Sequence, residues 1–179
     1  LKNRPLLSGR FFCFKLVYMK LSNSTNNEKI QLKIENFCLY QERCEKEVVI
    51  KLRSWGLEKN LIDDILLNLL NQDLINETRF SKNFSRGKFR IKKWGRLKIY
   101  QELKKRNISE IDIKIGLKEI EEDYDFTCQE LVKKIWESLK SRSLIEKKKK
   151  IWDYLRYRGW EKALIFDQLE KIERQSINL

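Results

Sequence analysis

Cysteine and histidine content limits the chemistry that this chain can perform. Its four cysteines stand at Cys13, Cys38, Cys44 and Cys128, no two of them form a Cys-x-x-Cys pair, and the sequence contains no histidine. This combination excludes a zinc site of the usual Cys/His kind, histidine-based triads and histidine acid–base catalysis. Cys38 and Cys128 fall in apolar stretches, where a free cysteine acts as a small hydrophobe. Reduced thiols predict a cytoplasmic protein.

The other reactive residue types also lack a catalytic arrangement. The carboxylate pairs Asp63-Asp64 and Glu121-Glu122 are expected to lie on helices and are interpreted as solvated faces. The few glycines form no loop of the kind that cradles a phosphate. We therefore predict a protein that is not an enzyme and that has no cofactor, no metal and no small-molecule substrate.

Positive charge is the strongest functional signal in the sequence. The chain has 39 Lys and Arg against 26 Asp and Glu, a formal net charge of +13 and a pI near 9.6. The charge is sorted along the chain: residues 82–106 hold eleven basic residues and one acid, whereas residues 57–80 hold two basic residues and five acids. This clustering favours an anionic partner, such as nucleic acid, a nucleoprotein or an acidic membrane face.

The central basic cluster, Arg86–Lys98, interleaves Phe89 and Trp94 with its cations. Such a mixture suits phosphate contact with base stacking, and equally suits docking on an acidic protein surface. We expect the two aromatic residues to lie in the core and the cations to form a binding surface. A second cluster, Lys147–Lys150, is predicted to open a helix, where a cationic start opposes the helix dipole and hints at a bound anion. The candidate binding residues are Arg86, Lys88, Arg90, Lys92, Lys93, Arg96, Lys98, Lys104, Lys105, Arg106, Lys147, Lys148, Lys149 and Lys150.

An internal repeat predicts the elements that position these residues. Leu52–Leu69, Leu103–Ile120 and Leu155–Ile172 align without gaps. Each begins with leucine and a basic residue, and its fifth position is Gly or Asn, the residues that most readily end a helix in the left-handed conformation. The next residue is always apolar and should pack back on the repeated leucine. The three cap positions are Gly56, Asn107 and Gly159, followed by Leu57, Ile108 and Trp160.

Each cap therefore separates two helices, and a further helix is predicted before each pair. The candidates for this first helix are Leu32–Arg43, Glu77–Arg86 and Cys128–Leu139, the last with a capping box formed by Thr127 and Glu130. With 6 glycines and 1 proline, the chain favours an all-α fold. We predict three tandem three-helix repeats at 31–72, 73–123 and 124–175. Residues 1–30 are predicted to be a disordered leader or a mis-assigned start, with Met19 as the alternative first residue.

The run Leu74–Ser109 resembles the most distinctive stretch of the RecX family. Arg79-Phe80, then Lys93-Trp94-Gly95, then Lys104–Ile108 stand in the places where that family has an Arg-Phe step, a Lys-x-Gly step and a basic helix end. The resemblance extends over Phe37–Ile172 and includes the Tyr-Arg-Gly-Trp step of the third repeat.

This resemblance implies a fold, a partner and a function. RecX proteins are similar to elongated, curved, right-handed helical-repeat modules that lie in the groove of the RecA–DNA filament and typically inhibit the recombinase. The resemblance thus implies a cytoplasmic, monomeric regulator in DNA repair, recombination and the SOS response, with single-stranded DNA met as part of the filament. It implies no enzymatic activity, cofactor or membrane association. Two alternatives remain, a general single-stranded nucleic-acid-binding repeat protein and an adaptor for an acidic protein.

Overall fold

The described part of the chain is entirely helical. A computed structural model describes residues 26–177, which form nine α-helices and no strand. The helices are α1 (Asn26–Tyr40), α2 (Glu45–Ser54), α3 (Lys59–Asn71), α4 (Glu77–Lys92), α5 (Arg96–Lys104), α6 (Glu110–Lys118), α7 (Tyr124–Ser138), α8 (Leu144–Tyr157) and α9 (Lys162–Ile177). The prediction of an all-α fold is confirmed. Each helix within 26–177 is too short or too polar to cross a bilayer.

The helices pack into two compact units. One contains the described part of Leu1–Gln41 together with Val48–Leu74, and the other contains Glu42–Glu47 and Ile75–Leu179 as far as it is described. Helices α4 to α9, which carry the candidate binding residues, thus share one unit. The repeat boundaries at 31–72, 73–123 and 124–175, and the curvature implied by the resemblance, stay predictions.

All three predicted helix caps are confirmed. The φ angles of Gly56, Asn107 and Gly159 are 79°, 63° and 79°. At the third cap, the Trp160 amide donates to the Leu155 carbonyl at 3.1 Å and the Gly159 amide donates to the Arg156 carbonyl at 3.0 Å, which is the paired bonding of a Schellman motif. The same pair of bonds ends α2 and α5. The repeated leucines are fully buried, so each cap also anchors the core.

Two predicted helix starts are wrong. Helix α1 begins at Asn26, inside the predicted leader, because Ile30 continues the apolar face of the fully buried Ile34 by one turn. The rest of the predicted leader, with Met19 and Cys13, lies outside the described residues. Helix α7 begins at Tyr124, so Thr127 lies inside the helix and the capping box with Glu130 does not form.

Tyr124 starts α7 early because it is buried on the same face as Cys128, one turn further along. Helix α4 likewise runs on to Lys92 rather than ending near Arg86, because Phe89 continues its buried face. Burial raises the pKa of the Cys128 thiol to about 12, which keeps it protonated. Its predicted role as a small core hydrophobe is confirmed.

An aromatic cluster lies at the centre of the larger unit. The rings of Tyr124 and Trp160 stack with centroids 4.5 Å apart, and Phe89 lies 5.9 Å from Tyr124. Phe89 is 2% exposed, and Trp94 is partly buried against the same core. The expectation that these two aromatic residues serve the core rather than the surface is confirmed.

Candidate functional site

The turn between α4 and α5 packs against the cap between α8 and α9. The Gly95 amide donates to the Arg158 carbonyl at 2.9 Å, and the Leu97 amide donates to the Gly159 carbonyl at 3.1 Å. Amides at the start of α5 therefore satisfy carbonyls at the end of α8, and the positive end of one helix dipole meets the negative end of the other. We call this contact the junction.

The junction requires glycine at position 95. A Cβ atom there would lie 2.4 Å from the Gly159 carbonyl oxygen and 2.7 Å from the Trp160 Cα. The Lys93-Trp94-Gly95 step, which the sequence placed in a basic binding segment, is thus a packing element. Its first residue, Lys93, ends α4 in the left-handed conformation at φ 54°, and its carbonyl accepts a hydrogen bond from Trp160 Nε1 at 3.1 Å.

A buried tyrosine completes the junction. The Tyr124 hydroxyl donates to Glu161 Oε2 at 2.6 Å and accepts from the Arg96 amide at 2.8 Å. Burial, followed by the bond to Glu161, raises the pKa of Tyr124, so the hydroxyl stays a donor. The Arg96 guanidinium lies 4.1 Å from the centroid of the same ring. Arg96, a predicted binding residue, is therefore engaged in packing.

One junction contact recurs along the chain. Lys98 Nζ donates to the Tyr157 carbonyl at 3.1 Å, and Lys46 Nζ donates to the Lys105 carbonyl at 2.6 Å. Both pairs are 59 residues apart in sequence, and in both a lysine near the start of a second helix reaches the end of the next such helix. The internal repeat therefore includes an equivalent tertiary hydrogen bond as well as similar sequence.

Ion pairs neutralise the basic end of α5. Arg106 contacts Glu47 at 3.1 Å and Glu102 at 3.0 Å, and its guanidinium lies over the Phe84 ring at 4.8 Å. Lys105 also contacts Glu102, at 2.9 Å. The hydrogen bond from Lys105, aided by that from Arg106, lowers the pKa of Glu102 against the opposing effect of burial. We therefore interpret Arg106 as a residue that stabilises the fold.

Other predicted binding residues have partners of their own. Lys104 contacts Glu110 at 2.8 Å, and Arg86 contacts Glu119 at 3.5 Å. The Lys88 ammonium lies 5.1 Å from the centroid of the Phe84 ring. Lys104 and Arg86 are therefore ion-paired, whereas Lys88 contacts an aromatic ring, and all three side chains keep part of their surface exposed.

Contrary to the prediction from sequence, the tetralysine run does not form the start of α8. Helix α8 begins at Leu144 behind a capping box in which the Ser143 side chain accepts from the Glu146 amide and Glu146 accepts from the Ser143 amide. Hydrogen bonds from the Ser143 amide and hydroxyl lower the pKa of Glu146, so an acid occupies the first turn. The inference of a bound anion at this helix start is removed, because the dipole is already satisfied by Glu146.

A smaller set of cations is left facing solvent. Lys148 contacts Glu173 at 2.6 Å and Lys147 lies 4.9 Å from the centroid of the Trp136 ring, so these two have internal partners. Four other predicted residues are exposed, and none of them forms an ion pair with a carboxylate of residues 26–177. They are Arg90 and Lys92 in the last turn of α4, and Lys149 and Lys150 on α8.

Comparison with known proteins assigns the family. The family model described as "RecX, second three-helix domain" matches residues 76–117. The chain is 31% identical over 136 residues to the regulatory protein RecX of Chlorobium phaeobacteroides, a match that covers 75% of this chain and 87% of that protein. The chain belongs to the RecX family.

Two further RecX proteins extend this comparison. The RecX protein of Finegoldia magna is 30% identical over 126 residues, and the match covers 70% of this chain but 56% of that longer protein. The crystal structure of RecX from Lactobacillus salivarius superposes with a TM-score of 0.72 at 24% identity, covering 82% of this chain and 96% of that one. This likeness confirms the helical-repeat fold.

The RecX segment 76–117 spans helices α4 to α6 and contains much of the junction. Gly95, Arg96 and Arg106 all lie in it, and in this RecX chain all three are held by packing contacts. Much of what makes the segment recognisable is therefore structural. The solvent-facing residues Arg90 and Lys92 lie in the same segment and remain candidates for binding.

Sequence reasoning missed an aromatic and cationic surface in the third repeat of this RecX chain. Phe166 and Tyr157 are 56% and 74% exposed, and Arg156 is exposed beside them. The Trp152 ring is partly buried against the core and also forms part of the wall of an open cavity. The available signal was the heptad Lys-Ile-aromatic-x-x-Leu-basic, which stands at 98–104 and again at 150–156.

Proposed function

We propose that this chain binds the RecA–DNA filament and inhibits the recombinase. Membership of the RecX family, whose relatives are named regulatory proteins, is the observation that carries the proposal. We further propose that it acts as a cytoplasmic monomer in DNA repair, recombination and the SOS response, without catalytic activity.

The solvent-facing cations supply the electrostatic part of this function. Arg90 and Lys92 end α4, whereas Lys149 and Lys150 lie on α8, and both helices belong to the same compact unit. A filament of protein on DNA is strongly anionic, and exposed cations raise both the rate and the affinity of its capture. Cations that are already ion-paired, such as Lys104, contribute less because they must exchange one partner for another.

Comparative binding tests this proposal. Labelled chain is titrated with RecA assembled on single-stranded DNA, with RecA alone and with the DNA alone, at one salt concentration. We expect binding to the filament to exceed binding to either component. Equal affinity for filament and bare DNA would contradict the proposal and favour a general nucleic-acid-binding protein.

Charge reversal locates the surface. Arg90→Glu combined with Lys92→Glu should weaken filament binding while leaving the helical content unchanged, because both side chains are exposed. Placing two carboxylates in the last turn of α4 should lower stability by only about 1 kcal/mol per substitution. The matched control is Lys29→Glu combined with Lys33→Glu, which changes net charge equally on exposed positions of α1. Equal loss in both double variants would show that net charge matters and the location does not.

A general single-stranded nucleic-acid-binding function is the second candidate. The exposed lysines of the tetralysine run favour it, since such residues bind phosphates without sequence preference. It predicts a steep fall of affinity with salt on naked DNA. An adaptor for an acidic protein predicts instead that partner capture survives nuclease treatment.

A further inference from the structure

The third repeat contains an open aromatic slot. Trp152 of α8 and Phe166 of α9 pack directly against each other, with ring centroids 4.7 Å apart and planes inclined by 40°, so the two rings together form one wall of this slot. They line a cavity of about 420 Å³ together with Leu169, Lys148, Lys149 and Glu170. Leu169 and the inner side of Trp152 belong to the core, but core packing does not account for a phenylalanine that is 56% exposed.

A cationic cleft lies at the C-terminal end of α8. Lys98, Lys105 and Arg156 line a cavity of about 260 Å³ with the exposed ring of Tyr157. Glu102 is the one acidic residue in its lining, and its carboxylate is already held by Lys105 and Arg106. The cleft therefore carries an excess of positive charge.

Arg156 connects the slot to the cleft. It lines the cleft, and its guanidinium lies 5.8 Å from the centroid of the Trp152 ring, one helical turn away. In the second repeat the corresponding positions are Tyr100 and Lys104, and Glu110 bonds to both at 2.8 Å. That face is closed by a polar network, whereas the third repeat leaves the same face open with aromatic walls.

We propose that the slot and cleft bind a single-stranded nucleic acid, with a base stacked on the exposed Phe166 ring in the slot and backbone phosphates in the cleft. An unpaired strand presents flat aromatic bases at regular intervals along a polyanion, which matches an aromatic slot joined to a cationic cleft. An acidic protein segment would fit the cleft but would leave the stacking surface unused. This inference rests on the proposed function and extends it, because it assigns binding of the filament's single-stranded DNA to the third repeat.

Fluorescence anisotropy with a labelled oligothymidylate, in the absence of RecA, tests the inference. Phe166→Ala combined with Arg156→Gln should weaken binding about fivefold or more, since stacking and phosphate contact are both lost. The dependence of log affinity on log salt should also become shallower, by about 0.7 for the one phosphate contact. The control is Phe126→Ala combined with Lys114→Gln, which removes an exposed ring and an exposed cation on α7 and α6 of the same unit.

An abasic version of the oligonucleotide separates stacking from folding effects. Loss of the bases should weaken binding to the unaltered chain and should weaken binding to Phe166→Ala much less, because the two changes remove the same contact. Equal binding of both oligonucleotides to the unaltered chain would overturn the inference. Displacement by polyglutamate at equal charge concentration would also overturn it, in favour of an acidic protein partner. RecA is absent from this assay, so its results do not depend on whether the chain inhibits the recombinase.

Discussion

The substitution Gly95→Ala tests the junction between the second and third repeats. The new Cβ would lie 2.4 Å from the Gly159 carbonyl oxygen and 2.7 Å from the Trp160 Cα, both backbone atoms that no side-chain rotation can remove. Overpacking of this kind costs ~1–3 kcal/mol. The displaced turn also weakens the hydrogen bonds from the Gly95 and Leu97 amides, at up to ~1 kcal/mol each. We expect the free energy of unfolding to fall by about 2–4 kcal/mol.

Urea unfolding followed by tryptophan fluorescence measures this change, with the fully buried Trp160 close to the substitution. The matched control is Gly87→Ala, because position 87 lies inside α4 with no neighbouring atom within 4 Å. Alanine there should stabilise the chain by ~0.5–1 kcal/mol through helix propensity. If Gly95→Ala proves as stable as Gly87→Ala, the junction is not the close contact inferred from these distances.

Two further predictions concern stability. Leu103→Ala removes a fully buried side chain and should cost ~2–5 kcal/mol in urea unfolding; a negligible change would contradict the assignment of the repeated leucines to the core. Glu102 has a lowered pKa, so its contribution to stability is complete above its unfolded pKa of about 4.3 and is lost as pH falls through the folded value. Glu102→Gln should therefore be less stable than the parent chain at pH 7 and should lose less stability on acidification below about pH 5. Parallel pH curves for the two proteins would refute this assignment.

The repeat was predictable from sequence because its signals are local. Gly56, Asn107 and Gly159 tolerate positive φ, and each lies between a leucine and an apolar residue at the spacing of a Schellman motif. The helical fold followed from these repeated caps and from the scarcity of Gly and Pro. Lys93 gave no such signal, because lysine is not a residue that favours the left-handed conformation. Its cap is supported by Trp160, which is 67 residues away in sequence.

The candidate site was harder to predict, because ion pairs between residues far apart in sequence determine which cations stay exposed. Arg90 and Arg106 look alike in sequence, yet Arg90 is exposed whereas Arg106 bonds to Glu47, 59 residues away. Thr127 and Glu130 have the spacing of a capping box, but the burial of Tyr124 moved the helix start upstream. The slot that Trp152 and Phe166 line depends on how α8 meets α9, which residue spacing within one helix does not reveal.

RecA-catalysed, DNA-dependent ATP hydrolysis tests the proposed function most directly. The rate is measured on single-stranded DNA with and without this chain, at a substoichiometric ratio to RecA. The proposal predicts a clear loss of hydrolysis, as expected when a regulator caps or disassembles the filament. An unchanged rate, together with tight binding of the chain to naked DNA in a gel shift, would contradict the proposal and assign a general nucleic-acid-binding function.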